Sequence, residues 1–128
     1  MQERIIQEIA FLKERYPFLQ HGQNYDWVML PDFPLPEGYN RSATNLMFLI
    51  PHSYPHTPPD CFYVEIGLRL SSNELPSNYN EHMDVPVGGS WGYFSWHPEI
   101  WQAAGRMQEG DNLNSFIKAV NFRLREVN

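Results

Sequence analysis

Four sets of side chains in this 128-residue chain are of types that could do chemistry. Cys61 is the sole thiol, and a thiolate is the best carrier of an acyl group near neutral pH. A free cysteine at the start of an apolar stretch is also a common small core residue, and that structural reading is the one expected here. Ser95 and His97 form a second set. An unassisted serine hydroxyl is scarcely ionised and needs a base within hydrogen-bond reach. A spacing of two residues puts both side chains on one side of an extended segment. Ser95 would then attack an acyl carbon while His97 takes its proton; in the alternative reading, both only hydrogen-bond the backbone and pin a loop. Ser90 is a further nucleophile candidate, since it follows Gly88 and Gly89, which let another backbone approach closely. His52 and His56 have a spacing that can hold a metal, but only on one face of a helix, and the surrounding prolines argue against a helix. No metal and no cofactor are expected, and no glycine-rich phosphate loop is present.

The elements that must position these residues follow from periodicity and punctuation. Ile5, Ile9, Leu12 and Tyr16 recur at helical spacing with charged residues between them, so an amphipathic helix is predicted up to Pro17. Residues 25–30 are rich in β-formers and end at Pro31, which predicts a strand. Residues 44–50 are nearly continuously apolar up to Pro51, as in a central strand buried on both faces. The proline-rich segment 51–60 reads as a stiff, extended connector. Residues 61–70 alternate apolar and polar side chains and read as a half-buried strand, completing an antiparallel meander. Residues 71–94 have no sustained period and read as a long loop. A closing helix is predicted with Asp111 as its cap and Leu113, Phe116, Ile117, Val120 and Leu124 on its buried face. Trp91, Trp96 and Trp101 read as cover for the core, with Trp91 and Tyr93 also suited to touching a partner.

Composition narrows the function classes. A length of 128 residues with 42% hydrophobic side chains is enough for one α+β domain spanning residues 1–128. A net charge of −6, with no basic run, argues against nucleic acid and anionic membrane as partners. The start of the chain lacks the basic and apolar regions of a secretory signal, and no stretch reaches the roughly 20 apolar residues of a membrane span, so a cytoplasmic location is expected. A single cysteine excludes an intrachain disulfide.

The stretch Pro51-His52-Ser53-Tyr54-Pro55-His56-Thr57-Pro58-Pro59 resembles the Pro-x-x-Tyr-Pro-x-x-Pro-Pro signature of the ubiquitin-conjugating-enzyme superfamily. Pro34-Leu35-Pro36-Glu37-Gly38-Tyr39-Asn40, Tyr54-Pro55 through Pro59-Asp60-Cys61-Phe62-Tyr63, Ser95-Trp96-His97, Trp101 and Gly110-Asp111-Asn112-Leu113 resemble the prokaryotic ubiquitin-conjugating-enzyme-like family E over about residues 25–125. The resemblance implies an N-terminal helix, a meander sheet, a long active-site-like loop and a C-terminal helix. It also implies partners: a ubiquitin-like protein and a ThiF-type activating enzyme that adenylates the modifier's carboxyl terminus and passes it on.

Two departures from the pattern bear on mechanism. Trp96 stands where the family usually carries the arginine of Ser-Arg-His, and the nucleophile's usual place maps to residues 87–90, which hold no thiol. By the resemblance, Ser95 would carry the modifier as an oxyester with His97 as base. Ser90 would be the runner-up near the thiol's place, and His82 would be the polar residue that steadies the oxyanion. The other reading is a catalytically silent module that docks the modifier or the activating enzyme.

Overall fold

The computed structural model describes residues 2–128, apart from the side chain of Met83. Helix α1 (Gln2–Arg15) buries Ile5, Ile9 and Leu12 as its periodicity requires, and it also buries Glu8. The two-residue strand β1 (Gln20–His21) then begins a run of antiparallel neighbours: β2 (Trp27–Pro34), β3 (Ala43–Leu49) and β4 (Phe62–Glu65). The expected stop at Pro31 does not occur. A register shift between Leu30 and Phe33 takes up Pro31, which has no amide to donate, together with Asp32 at φ 52°. The strand expected over 61–70 is shorter, because the chain turns at Gly67 with φ 93°; Leu68 is nevertheless fully buried.

The segment expected to be one long loop holds a hairpin, β5 (Tyr79–Asp84) and β6 (Ser90–Phe94). Strand β6 pairs with β4, so the six-stranded sheet runs β1-β2-β3-β4-β6-β5. The meander is thus extended by a hairpin whose second strand lies inside. Helix α2 (Leu113–Arg125) buries Leu113, Phe116, Ile117, Val120 and Leu124. Its cap is Asn112 rather than Asp111: Asn112 Oδ1 accepts from Ser115 N while Ser115 Oγ accepts from Asn112 N. The Asp111 carboxylate instead accepts from Gln102 N and Ser115 Oγ.

Both helices pack on one face of the sheet, where Val28, Leu30, Leu46, Phe48, Phe62, Val64 and Phe94 meet α1 and α2 in one core cluster. The connector 51–60 is coiled rather than extended. Tyr54 N donates to Pro51 O and Thr57 N to Ser53 O, and the Tyr54-Pro55 bond is cis. Pro51 and Pro55 sit where these turns need no amide from them. Inside, Tyr54 Oη donates to Glu8 Oε1 at 2.6 Å, and Trp101 Nε1 donates to Pro55 O at 2.8 Å. The Pro-Leu-Pro-Glu-Gly-Tyr-Asn stretch is also scaffold. Tyr39 Oη donates to Leu124 O, and the Asn40 side chain bridges Gly67 O and Arg69 N. Among the described residues, no helix is long and apolar enough to cross a membrane.

Candidate functional site

Strand β6 sets the site by alternation. Phe94 and Gly92 are buried toward the helices, with Phe94 stacked on Phe62 at 4.7 Å between ring centroids. Trp91 and Tyr93, the alternate residues, are only partly buried. Beyond Phe94 the chain stays tied at both sides, as Ser95 N donates to Asn78 O at 2.9 Å and Cys61 N donates to Trp96 O at 2.6 Å. These bonds hold residues 95–97 against the beginnings of β5 and β4. Trp96 turns inward and meets Phe62 edge-on at 5.6 Å and Phe116 at 6.0 Å, so the residue between Ser95 and His97 is an aromatic packed against the core.

Ser95 and His97 are both exposed. His97 Nδ1 lies 4.0 Å from Asp60 Oδ1, with these two side chains 75% and 71% exposed. That separation is too long for a hydrogen bond; a rotation that closed it would favour the tautomer that leaves Nε2 as proton acceptor. No hydrogen bond joins Ser95 to His97 among the described residues, so the proton path between them needs a rotamer change or a water. The arrangement can supply a hydroxyl nucleophile, a base and a carboxylate beside the base, all at the surface where a large substrate can reach.

Cys61 is buried, at 9% exposure, with φ 67°, and its Sγ meets Tyr93 Oη. This contact, followed by burial, pushes the Tyr93 phenol up to about 12. Burial likewise raises Tyr63, whose ring lies 5.2 Å from that of Tyr93. A thiol this little exposed and in contact with the Tyr93 hydroxyl favours the structural reading of Cys61.

The remaining candidates lie elsewhere on the hairpin. Ser90 is exposed at the first position of β6, paired with Asp84. It is five residues from Ser95, roughly 16 Å along a strand. His82 is exposed at φ 66°, within the register shift between Asn80 and Met83 on the sheet edge. The structure therefore brings Ser95 and His97 to one end of β6, Ser90 to the other and His82 to the bulge between them. His52 and His56 are both exposed, and among the described residues no group of three or more His, Cys, Asp or Glu side chains is arranged to hold a metal.

The bulge is fixed by Glu81. Its carboxylate accepts from Arg69 Nη1 and Nη2 at 2.8 and 3.2 Å, from Tyr79 Oη at 2.8 Å and from Gly67 N at 2.8 Å. These bonds, Arg69 first, hold its carboxyl at about 2 instead of the ordinary 4.5. A depressed folded-state value contributes stability that is present above the ordinary value and lost as pH falls through the folded one. Glu81→Gln is therefore expected to be less stable than the parent at neutral pH. Acid-unfolding curves of the two should converge as pH drops from 4.5 to 2.

Sequence reasoning missed Asp60 and the contact of Tyr93 with Cys61. Asp60 adjoins Cys61 in sequence, but only the pairing of β4 with β6 brings it to His97. No curated protein and no solved structure matches the chain. The family model described as Prokaryotic E2 family E matches residues 8–127, which takes in the second half of α1, the whole sheet, the Ser95-Trp96-His97 segment and α2. With nearly its full length inside that match, the protein belongs to Prokaryotic E2 family E, a ubiquitin-conjugating-like family.

Proposed function

We propose that this protein is a carrier that accepts the carboxyl terminus of a ubiquitin-like protein on Ser95 as an oxyester and passes it to an amine. Membership in an E2-like family implies a ubiquitin-like partner in general; the hydroxyl chemistry is the proposal. The observation that carries it is His97 facing Asp60 two residues from an exposed serine, while the sole thiol is buried.

In the loading step the donor is the modifier's activated carboxyl, an acyl adenylate or thioester on a ThiF-type activating enzyme. Ser95 Oγ attacks the acyl carbon, and His97 Nε2 takes the hydroxyl proton. The new C–O bond forms as the bond to AMP or to the donor sulfur breaks, and the proton neutralises the leaving group. A target amine then attacks the oxyester carbon, the C–N bond forms as the bond to Ser95 Oγ breaks, and the proton the amine loses returns to Ser95 Oγ through His97. Ser90, with His82 nearer to it along the hairpin, is the second nucleophile candidate.

The catalytically silent docking module is the second reading, and the missing hydrogen bond between Ser95 and His97 favours it. Trp91 and Tyr93, half-exposed on β6, would then serve contact with the modifier or the activating enzyme. Ser95→Cys separates the readings. On incubation with the activating enzyme, modifier and ATP, the carrier reading expects the variant to give an adduct that thiol reductant removes, while the parent's adduct resists it. A docking module gives no adduct in either form.

A further inference from the structure

One cavity of the molecule lies remote from β6. It has a volume of about 540 Å³ and lies between the end of α1, the end of β2 and α2. That volume falls within the ordinary range for ligand sites. Its apolar wall includes Tyr16, Phe33 and Ile117, with the rings of Tyr16 and Phe33 6.3 Å apart. Its rim carries Arg15, Lys118 and Arg125, each exposed.

The chain has nine Lys and Arg against fifteen Asp and Glu, so where its cations go is informative. Among the described residues, Arg4, Arg41, Arg69 and Arg106 pair with Glu8, Glu65, Glu81 and Glu109. Arg123 is spent on the carbonyls of Ser77 and Glu126. Of the four that remain, with neither an ion pair nor a carbonyl partner among the described residues, all but Lys13 converge on this one cavity. Arg15 and Arg125 end their helices and suit the negative helix ends. Lys118 lies in the second turn of α2, beyond the reach of that effect.

The spacing of the cations says what they would hold. Lys118, Asn121 and Arg125 follow one another at intervals of four or fewer residues on one face of α2, all lining the cavity. Seven residues of helix separate the outer two by roughly 10 Å. A single phosphate or carboxylate does not bridge that gap, whereas an extended peptide, with its side chains alternating between two faces, carries carboxylates four residues apart on one face and an apolar side chain between them, a span of roughly 13 Å at about 3.3 Å per residue. We infer that this groove binds an extended acidic peptide segment, with carboxylates on Arg15, Lys118 and Arg125 and an apolar side chain against Tyr16, Phe33 and Ile117. The otherwise acidic surface repels such a segment elsewhere and so steers it to this patch.

The test is an NMR titration of the ¹⁵N-labelled full chain with a blocked pentapeptide of four acidic residues around one leucine. Parallel titrations use the same peptide with glycine at its centre, a lysine counterpart, and inorganic phosphate. The inference expects saturable shifts centred on Leu35, Lys118 and Asn121, several-fold weaker binding of the glycine peptide, and no binding of the lysine peptide. Lys118→Gln combined with Arg125→Gln, both at exposed positions, should weaken the leucine peptide about tenfold while leaving the spectrum otherwise folded. Shifts on another surface, no saturation up to millimolar peptide, or equal binding of the glycine peptide and phosphate would overturn it; the last outcome would leave a plain anion site. None of these outcomes depends on whether Ser95 carries a modifier.

Discussion

Ser95→Ala is expected to remove the covalent adduct altogether, whereas Ser90→Ala leaves it intact. The structure separates the two hydroxyls to opposite ends of β6, and only Ser95 has a histidine two residues away with a carboxylate beside it. His97→Ala should keep the adduct but slow its formation about 10²- to 10⁴-fold, the usual contribution of a positioned general base. Asp60→Asn, which leaves the imidazole in place but removes the charge beside Nδ1, should slow it less. All four side chains are exposed, so none of these substitutions should change stability by more than about 0.5 kcal/mol. Rates come from intact-mass time courses, and urea unfolding of each variant checks the fold. Loss of the adduct in Ser90→Ala with retention in Ser95→Ala would transfer the assignment to Ser90.

The largest effect on stability is expected at Glu8, far from that chemistry. Its carboxylate is 2% exposed and receives Tyr54 Oη and Leu113 N at 2.6 Å each and Arg4 Nε at 2.8 Å. It therefore joins α1, the proline-rich connector and the first turn of α2. Burial, then the Glu8 charge, drives the Tyr54 phenol well above its ordinary range, so Tyr54 remains a donor at any working pH. Arg4 reaches on to the carbonyls of Ala104 and Asp111. Glu8→Ala leaves a buried phenol, an amide and a guanidinium short of their acceptor. Removing one partner of such a buried group costs about 3–5 kcal/mol, a large part of a margin of roughly 5–15 kcal/mol. Tyr54→Phe, which strips one donor from a carboxylate that keeps two, should cost about 1.5–3 kcal/mol. Both are read from urea midpoints.

The parts of the fold with strong periodicity were legible in the sequence. The apolar stripes of α1 and α2 and the continuous run of β3 name their own buried faces, and all five apolar positions predicted for α2 are buried. The hairpin was hidden for physical reasons. The inward position at the middle of β6 is Gly92, because a Cβ there would collide with the Tyr79 hydroxyl, and β5 is broken by its bulge. Neither strand therefore shows a clean alternation of apolar and polar side chains. Glu8 looked like part of a polar helix face, since a buried carboxylate reveals itself only through partners 46 and 105 residues away. The cap fell one residue later than expected because the choice between Asp111 and Asn112 depends on which of them meets Ser115 with its own backbone. At the site, Ser95 and His97 were legible as candidates two residues apart, and both are exposed, with no hydrogen bond between them among the described residues. Asp60 was not legible, because it arrives through strand pairing.

The carrier reading stands on one measurement above the rest: intact-protein mass spectrometry of the unaltered chain after incubation with its activating enzyme, ubiquitin-like protein and ATP, with thiol-reductant and mild-base washes in parallel. The reading predicts an adduct of one modifier that survives reductant and falls to base. An adduct lost to reductant would return the chemistry to Cys61, and binding of the modifier without any adduct would contradict the carrier and leave the docking module.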